Sequence, residues 1–389
     1  MIDGAVGPAP VRTSGSRSAT VLPWRQIVRW ALLGTVVALT LVLVDVHRHG
    51  GDNPVSLIQP GASGPATAAV AADFPEIEQP AGLGLDGQQY YAIARNPLHV
   101  DEASTHLDAP RYRMGRPLLA WMAWAAQPTG GGLGLVSALF LVGVAGVLAG
   151  ALATGALSTH FGGPAWAAAL FPILPGAYWS LRVTVSDALA LGLAFLAVAL
   201  TARRHQVPAL AVGVLAVLAK EPVILVFLGW ALHRRTRRDA LLLLVPALAL
   251  VGWMGWLRIQ LPEDPARPAD LGFPLVGLAD AWSTQWSRGQ ELVGMACTIG
   301  GIVAGAVALT LRRLRHPLGW AIAVQLGFLA IMGRNPTAMN FGASRMAMPV
   351  MVLAALALLT PDAASIGADG RVETVVVDPP PLPSAAPSG

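Results

Sequence analysis

The chain has 389 residues, of which 54% are hydrophobic and only 12% are charged, and its mean hydropathy is positive. Long apolar runs with few charges recur along it, which is the composition of an integral membrane protein. The formal charge of +4 is too small and too dispersed for a nucleic-acid-binding protein. The chain contains one cysteine, which excludes an internal disulfide.

The first apolar run extends from Ile27 to Val46. It is about as long as a bilayer is thick, whereas the apolar core of a cleaved signal peptide is shorter and ends at small residues. We therefore predict a signal anchor preceded by a disordered cytoplasmic tail over 1–26. The Pro/Ala/Ser-rich segment 361–389 is predicted to be a second disordered cytoplasmic tail.

Further apolar segments indicate a polytopic membrane protein. They lie at roughly 133–157, 164–180, 183–202, 207–219, 222–232, 240–258, 291–311, 317–332 and 346–360. If the segments alternate sides, the arginine clusters at 202–206, 233–238 and 312–316 all fall in the cytoplasm, as the positive-inside rule requires. This holds only if 207–232 is two segments that turn at the Lys-Glu-Pro sequence. The predicted fold class is all-α, a transmembrane helical bundle over 27–360 with about ten segments, some short or re-entrant.

The longest polar stretch, 47–132, is predicted to be an extracytoplasmic loop bearing interfacial helices, because it is too long for a simple connector. It contains "GLGLDGQQYYAIARNPL", in which Asp86 is followed by Gln88, Gln89, Tyr90 and Tyr91. Asp-Gly is a strong turn signal. A turn does not explain the amides and phenols that follow, whereas a carboxylate beside amides and phenols is typical of a sugar-binding site.

The same loop ends in a group of cations beside a Trp-rich stretch. Arg111, Tyr112, Arg113 and Arg116 come just before residues 117–127, which we predict to form a helix in the membrane interface. The arginines either contact lipid headgroups or form a dedicated phosphate site, and both interpretations stay open from the sequence.

A short polar segment of the loop contains metal-ligating residue types. These are His99, Asp101, Glu102 and His106. Carboxylate oxygens suit Mg²⁺ or Mn²⁺, which are the candidate cofactors. The spacing matches no recognised metal motif, so a solvated loop is the alternative.

Charged residues also occur inside or beside apolar segments, where each costs ~2.5–3.5 kcal/mol unless it is partnered. We expect Lys220 to contact a lipid phosphate and Glu221 an arginine; an Arg–Glu pair that only stabilises the turn is the alternative. Asp187 follows Ser186 at the start of a predicted helix, where helix capping alone accounts for both. Arg345 begins the last apolar segment and either reaches headgroups or holds a phosphate.

In this order, these pieces resemble the polytopic membrane glycosyltransferases of the C-type superfamily. The likeness is greatest to a poorly characterised bacterial group and is carried by the first outer loop, "DGQQYYAIARNPL" and "LDAPRYRMGRPLLAWMAW". Looser matches follow in "SDALALGLAFLAVAL", "LAKEPVILVF" and "ASRMAMP". The resemblance covers about 27–360 and implies a bacterial cytoplasmic membrane protein whose active face is extracytoplasmic.

The resemblance implies an inverting transferase that moves a sugar from a polyprenyl-phosphate donor to a glycan or lipid acceptor of the cell envelope. Asp86 then takes the role of the acidic residue that acts at the acceptor. Candidates for the lipid phosphate are Arg113, Arg116, Lys220 and Arg345. The other candidate substrate-binding residues are Gln88, Gln89, Tyr90, Tyr91, Arg111, Tyr112, Asp187 and Glu221. The chain departs from better-known members in lacking a paired Asp-X-Asp, since Gly and Gln follow Asp86.

Two other classes fit the same composition. One is a non-catalytic partner in cell-envelope assembly that keeps the fold without the chemistry. The other is a lipid or solute transporter. Transporters commonly have two related halves with broken helices at matching positions, whereas the long polar loop occurs once here and the Lys-Glu-Pro turn has no counterpart.

Overall fold

The computed structural model describes residues 23–265 and 270–361. Of the tails predicted at 1–26 and 361–389, residues 1–22 and 362–389 lie outside these ranges, whereas residues 24–26 belong to the first helix. Within them the chain is helical and contains no strand, and an isolated bridge joins Leu271 to Met332. The predicted all-α class is therefore confirmed for the described part of the chain.

Helix α1 (Trp24–His49) begins slightly before the predicted apolar run. The segment that follows is folded into short helices rather than being an open loop. They are a 3-10 helix (Pro54–Ile58), α2 (Thr67–Asp73), α3 (Asp86–Arg95), α4 (Val100–Ser104), α5 (Pro110–Met114) and α6 (Leu118–Ala126). The bend before α3 contains Gly82 and Gly84, whose φ angles of 108° and 68° are accessible mainly to glycine. Helix α6 falls within the predicted 117–127 and packs against α3 and the next long helix.

Helix α7 (Gly132–His160) is followed by a broken region. The single segment predicted at 164–180 is wrong. The chain there forms a 3-10 helix (Ala165–Ala169), α8 (Leu170–Ile173) and α9 (Pro175–Arg182). Leu174 separates the last two helices with an extended backbone, φ −68° and ψ 140°, because the residue before a proline disfavours the helical conformation.

The middle of the chain contains α10 (Asp187–Ala202), α11 (Gln206–Ala219), a 3-10 helix (Glu221–Val223), α12 (Ile224–Arg234) and α13 (Arg237–Gln260). Lys220 has an extended backbone, φ −164° and ψ 127°, so the chain does break at the Lys-Glu-Pro sequence. Helices α11 and α12 have 14 and 11 residues. At ~1.5 Å per residue, each is shorter than the hydrocarbon core of ~30 Å.

The last part contains α14 (Val276–Thr284), a 3-10 helix (Trp286–Arg288), α15 (Leu292–Arg312), α16 (Gly319–Ala330), α17 (Arg334–Ala338) and α18 (Asn340–Leu359). Among the described residues, five helices are long and apolar enough to cross a membrane: α1, α7, α13, α15 and α18. Helices α10, α11 and α16 are apolar but shorter. The chain is thus a multi-pass membrane protein, and the prediction of about ten crossing segments is not confirmed.

Small residues allow the central helices to approach closely. Helix α10 packs along α7, and a Cβ atom built on Gly192 would lie 2.2 Å from the carbonyl oxygen of Gly146. Close backbone approach at small residues is the usual way in which helices associate in membranes, where there is no hydrophobic force between them. Helices α15 and α18 form a second extensive contact.

The three arginine clusters lie at one end of this bundle. The Gln206 amide, in the first cluster, donates a hydrogen bond of 3.0 Å to the carbonyl of Arg238 in the second. The Phe161 ring, at the same end, contacts the rings of Trp230 and His316, with centroid distances of 6.3 and 6.2 Å. The segment 47–132 lies at the other end, where α1 finishes and α7 begins. This separation is what the positive-inside rule expects of a cytoplasmic and an outer end.

We therefore predict that the two ends differ in access to an impermeant thiol reagent. After replacement of Cys297 by Ser, Leu83→Cys should be labelled in intact cells and Arg237→Cys only after the membrane is permeabilised. Both positions are exposed, so a difference in labelling reports the side of the membrane. Labelling of Arg237→Cys in intact cells would contradict the topology.

Candidate functional site

The carboxylate of Asp86 lies at the start of α3, where the Gly-rich bend delivers the chain into the helix. Arg113, from α5, donates a hydrogen bond of 2.8 Å from Nη1 to Oδ1 of Asp86. The same guanidinium forms a bidentate pair with Asp108, with Nε and Nη2 each 2.8 Å from a carboxylate oxygen. One arginine therefore holds two carboxylates of the same outer segment.

A second ion pair connects the outer segment to the Lys-Glu-Pro break. Nε of Arg116 lies 2.8 Å from Oε2 of Glu221. The guanidinium also stacks on the ring of Tyr112, 4.0 Å from its centroid, a cation–π contact. The expectation that Glu221 contacts an arginine agrees with this geometry. Within the described residues, Glu221 engages only Nε, so the two amino nitrogens of Arg116 remain available as donors.

A third group lies between α10, the end of α11 and α18. Asp187 accepts a hydrogen bond from Lys220 at Oδ1 and one of 3.0 Å from Arg345 at Oδ2. The Lys220 and Arg345 side chains are 12% and 7% exposed. Asp187 makes no capping hydrogen bond, and neither does Ser186, so the capping interpretation is wrong: both side chains have partners from distant parts of the chain.

These groups form one charged cluster of eight residues. Its acids are Asp86, Asp108, Asp187 and Glu221, and its bases are Arg113, Arg116, Lys220 and Arg345. Four negative and four positive formal charges give a net charge of zero. An anionic ligand at Lys220 or Arg345 must therefore take over a donor that Asp187 now occupies, whereas Arg116 has two amino nitrogens that Glu221 does not engage.

The charges of all four bases affect the Asp86 carboxyl group. Burial alone raises the pKa of its carboxyl group, but the surrounding positive charges outweigh burial and hold this pKa below the usual value. In decreasing order of effect, those charges belong to Arg113, Arg345, Lys220 and Arg116. Asp86 is therefore a carboxylate at neutral pH. Its side chain is 34% exposed, so a solute can reach it.

The polar residues that follow Asp86 have different roles in the structure. Gln88 and Gln89 are buried and bond to the outer segment itself: Gln88 donates to the carbonyl of Leu83 at 2.6 Å, and Gln89 accepts from the backbone N–H of Asp108 at 3.2 Å. These two amides stabilise the fold around Asp86. Tyr90 lies closer to the cluster, since its hydroxyl shares a 2.7 Å hydrogen bond with that of Ser186, next to Asp187.

Tyr91 points away from the charged cluster. Its hydroxyl donates to Asp73 at 2.5 Å and accepts from the backbone N–H of Gly132 at 2.8 Å, and the residue is fully buried. Asp73 also pairs with Arg95. The geometry gives Tyr91 a structural task, which is to join α2 and α3 to the start of α7.

Arg111 and Tyr112 connect the segment 47–132 to the residues that follow α13. Their backbone N–H groups donate to the carboxylate of Asp264 at 2.8 and 3.0 Å. The Arg111 guanidinium donates to the carbonyl oxygen of Leu261 at 2.7 Å from Nη2. Arg111 therefore lies outside the charged cluster, whereas the Tyr112 ring borders it through Arg116.

The four residues proposed as metal ligands are not brought together. His99, Asp101 and Glu102 are exposed, and Glu102 accepts a hydrogen bond of 2.8 Å from the amide of Asn96. The described part of the chain contains no group of three or more His, Cys, Asp or Glu side chains placed to hold a metal ion. The geometry here, including that of His106, agrees with the alternative of a solvated surface.

Sequence reasoning missed two members of this region. Asp108 was only a neighbour of the candidate metal ligands, yet it is the bidentate partner of Arg113. Gln325, in α16, lines a cavity together with Asp187, Lys220 and Arg345. Gln325 could have been found from the sequence, because it is a single amide in the apolar sequence "AIAVQLGFLA". Lys220 and Glu221 are isolated polar residues in an apolar stretch in the same way.

No protein-family model matches the chain, and no curated protein is significantly similar to it. The geometry of the charged cluster is therefore the basis for assigning a function.

We predict that Tyr91→Phe lowers thermal stability without altering the charged cluster. The substitution removes the hydroxyl that joins Asp73 to Gly132, and loss of a partner for buried polar groups costs about 1–3 kcal/mol. Thermal unfolding of the purified protein in detergent measures the effect. An unchanged unfolding midpoint would show that the hydroxyl does not join these helices and would return Tyr91 to the candidate ligand-binding residues.

Proposed function

We propose that the protein is an inverting membrane glycosyltransferase that uses a polyprenyl-phosphate-linked sugar and a cell-envelope glycan or lipid as acceptor. The observation that supports this most is the state of Asp86. Its carboxylate is held by Arg113 through one oxygen, is partly exposed, and stands among the four bases of the charged cluster at the loop-bearing end of an apolar bundle.

The two carboxylates on Arg113 differ in a way that favours Asp86 as the base. Both oxygens of Asp108 are engaged by Arg113. Only Oδ1 of Asp86 is engaged, and the described residues provide no hydrogen bond to Oδ2. A general base needs one oxygen within hydrogen-bond reach of the proton that it removes and a fixed orientation. Arg113 supplies the orientation and Oδ2 supplies the acceptor.

The proposed reaction is a single displacement. The acceptor hydroxyl oxygen attacks the anomeric carbon of the donor sugar while its proton passes to Oδ2 of Asp86. The bond between the anomeric carbon and the phosphate oxygen breaks, and its electron pair leaves with the polyprenyl phosphate. Cationic donors stabilise the negative charge on that leaving group, as preorganised donors do elsewhere. Attack opposite the leaving group inverts the anomeric configuration.

The position of the cluster suits a lipid-linked donor. Arg116, Lys220 and Arg345 supply the cations, and the last two belong to apolar helical segments at one end of the bundle. A donor anchored by an apolar chain reaches this depth from within the membrane, whereas a nucleotide sugar is not available on the outer face. Membrane lipids other than the donor contact the exposed apolar faces of the helices.

The test is transfer by the purified full chain supplied with a panel of polyprenyl-phosphate sugars and envelope acceptors. We expect one donor to be consumed, with release of polyprenyl phosphate. Asp86→Asn should lower turnover by ~10²–10⁴-fold, the usual contribution of general-base catalysis, because the amide keeps the shape and cannot take the proton. The thermal unfolding midpoint should change little.

Asp108→Asn is the matched control, because it alters the other carboxylate on Arg113. We expect its turnover to stay within a few-fold of the parent. If Asp86→Asn retains parental turnover, Asp86 is not the base. If no donor is consumed by the parent, the cluster serves a non-catalytic partner or a transporter instead.

The acid limb of the pH–rate profile provides a separate prediction. Arg113 is the largest of the effects that lower the pKa of Asp86, and burial, which raises that pKa, remains when Arg113 is replaced. Arg113→Gln should therefore raise the pKa, so that kcat/KM begins to fall at a higher pH than in the parent. Arg111→Gln is the control, because Arg111 is not among the charges that act on Asp86. An unmoved acid limb in Arg113→Gln would contradict the assignment.

A further inference from the structure

A small cavity lies beside the buried half of the charged cluster, between α10, the 3-10 helix Glu221–Val223, α16 and α18. Its volume is about 40 Å³, and it is lined by Asp187, Lys220, Arg345 and Gln325. The rest of the lining is mostly apolar, including Phe328 and Met348. One water needs ~10–15 Å³ on the same measure, so the cavity has room for a few heavy atoms and not for a sugar ring.

Gln325 is the unusual member of this lining. It lies in the middle of the apolar helix α16, is 2% exposed, and its side chain makes no hydrogen bond within the described residues. Neither its side-chain nitrogen nor its oxygen is a fully enclosed atom without a partner; they face the cavity, where a ligand can complete their hydrogen bonding. An amide facing a cavity that also holds two cations is placed to contact an anionic oxygen.

Asp187 occupies the position that such an anion would need. Its two oxygens each accept from a different cation, Lys220 at Oδ1 and Arg345 at Oδ2. Two oxygens of a phosphate can accept from the same pair. In the absence of ligand, the carboxylate keeps the two cations close together and compensates their charge.

We propose that Gln325 is a ligand-binding residue that, with Lys220 and Arg345, binds the phosphate of a ligand in this cavity, and that Asp187 stands in for that phosphate until it arrives. This rests on the proposed function, in which the ligand is a phosphate ester on an apolar chain. The amide of Gln325 donates to a phosphate oxygen, and Lys220 and Arg345 transfer hydrogen bonds from Asp187 to the phosphate. The sugar stays outside the cavity, because only the phosphate fits.

Three probes separate the contribution of the phosphate from that of the apolar chain. They are farnesyl phosphate, farnesol and inorganic phosphate. Their dissociation constants are measured on the purified full chain in detergent. Farnesyl phosphate should bind more tightly than either of the others, because it presents both the phosphate and the apolar chain. Binding of farnesol with the affinity of farnesyl phosphate would overturn the proposal, since the phosphate would then make no contribution.

Gln325→Met tests the amide, because it keeps the approximate volume and removes the donor. We expect about 10-fold weaker binding of farnesyl phosphate, in the range for a lost hydrogen bond to a charged group, and unchanged binding of farnesol. Gln325→Glu should weaken the binding of farnesyl phosphate further, because it adds a negative charge beside the phosphate. The matched control is Gln206→Met at the opposite end of the bundle, where binding should not change. Parental affinity in Gln325→Met would overturn the proposal.

Asp187→Asn tests whether Asp187 competes with the phosphate for Lys220 and Arg345. It removes the competing negative charge, so farnesyl phosphate should bind several-fold more tightly, whereas a purely structural Asp187 would give weaker or unchanged binding. Should the variant not fold, the two Gln325 variants still decide the assignment.

These binding measurements do not require transfer. If no donor is consumed but farnesyl phosphate binding depends on Gln325, the proposed function fails and this site stands. If transfer occurs and Gln325→Met binds normally, this site fails alone.

Discussion

The structure depends on the pairing of charges at the ends of apolar helices. Asp187 at the start of α10 holds Lys220, beyond the end of α11, and Arg345 in α18, so three separate parts of the chain meet at one carboxylate. Arg182 in α9 forms a similar pair with Asp45 in α1. Removal of one partner from a buried pair costs about 3–5 kcal/mol, because an uncompensated charge remains. The short helices α10 and α11 are held in the bundle by such pairs as well as by packing.

The same pairing determines what the charged cluster can bind. Its formal charge is zero, so it does not attract anions by an excess of cations. At the donors that are already paired, a ligand must instead offer oxygens that replace carboxylate oxygens as acceptors. A phosphate does this at Lys220 and Arg345, since it presents two oxygens to the two donors that Asp187 now satisfies. At Arg116 no replacement is needed, because Glu221 engages only one of its nitrogens. In the proposed exchange Lys220 and Arg345 each keep one acceptor, whereas the 7% exposed carboxylate of Asp187 gives up both donors, and this loss opposes binding.

Local patterns predicted much of this from the sequence, and distant partners were not predictable. The apolar runs indicated α1, α7, α15 and α18, and the proline of Lys-Glu-Pro indicated the break at Lys220. The partner of Lys220 was missed because Asp187 is 33 residues away and its place at a helix start suggested capping. Tyr91 resembled a sugar-binding residue, yet its hydroxyl bonds residues 18 and 41 positions away. Spacing within a segment reports which face a residue occupies, and it contains no information on what packs against that face.

Two features of the cluster support the proposed ligand-binding role in addition to its role in holding helices together. In a purely structural cluster, polar groups find their partners within the protein, as at Asp108, whose two oxygens both pair with Arg113. Gln325 and Oδ2 of Asp86 depart from this, the first as a buried amide facing a cavity and the second as an open carboxylate oxygen. Neither adds to the stability of the free protein. Polar groups that have no partner among the described residues and face accessible space suit a ligand that completes their hydrogen bonding. In the proposed reaction these two lie at the phosphate and acceptor ends.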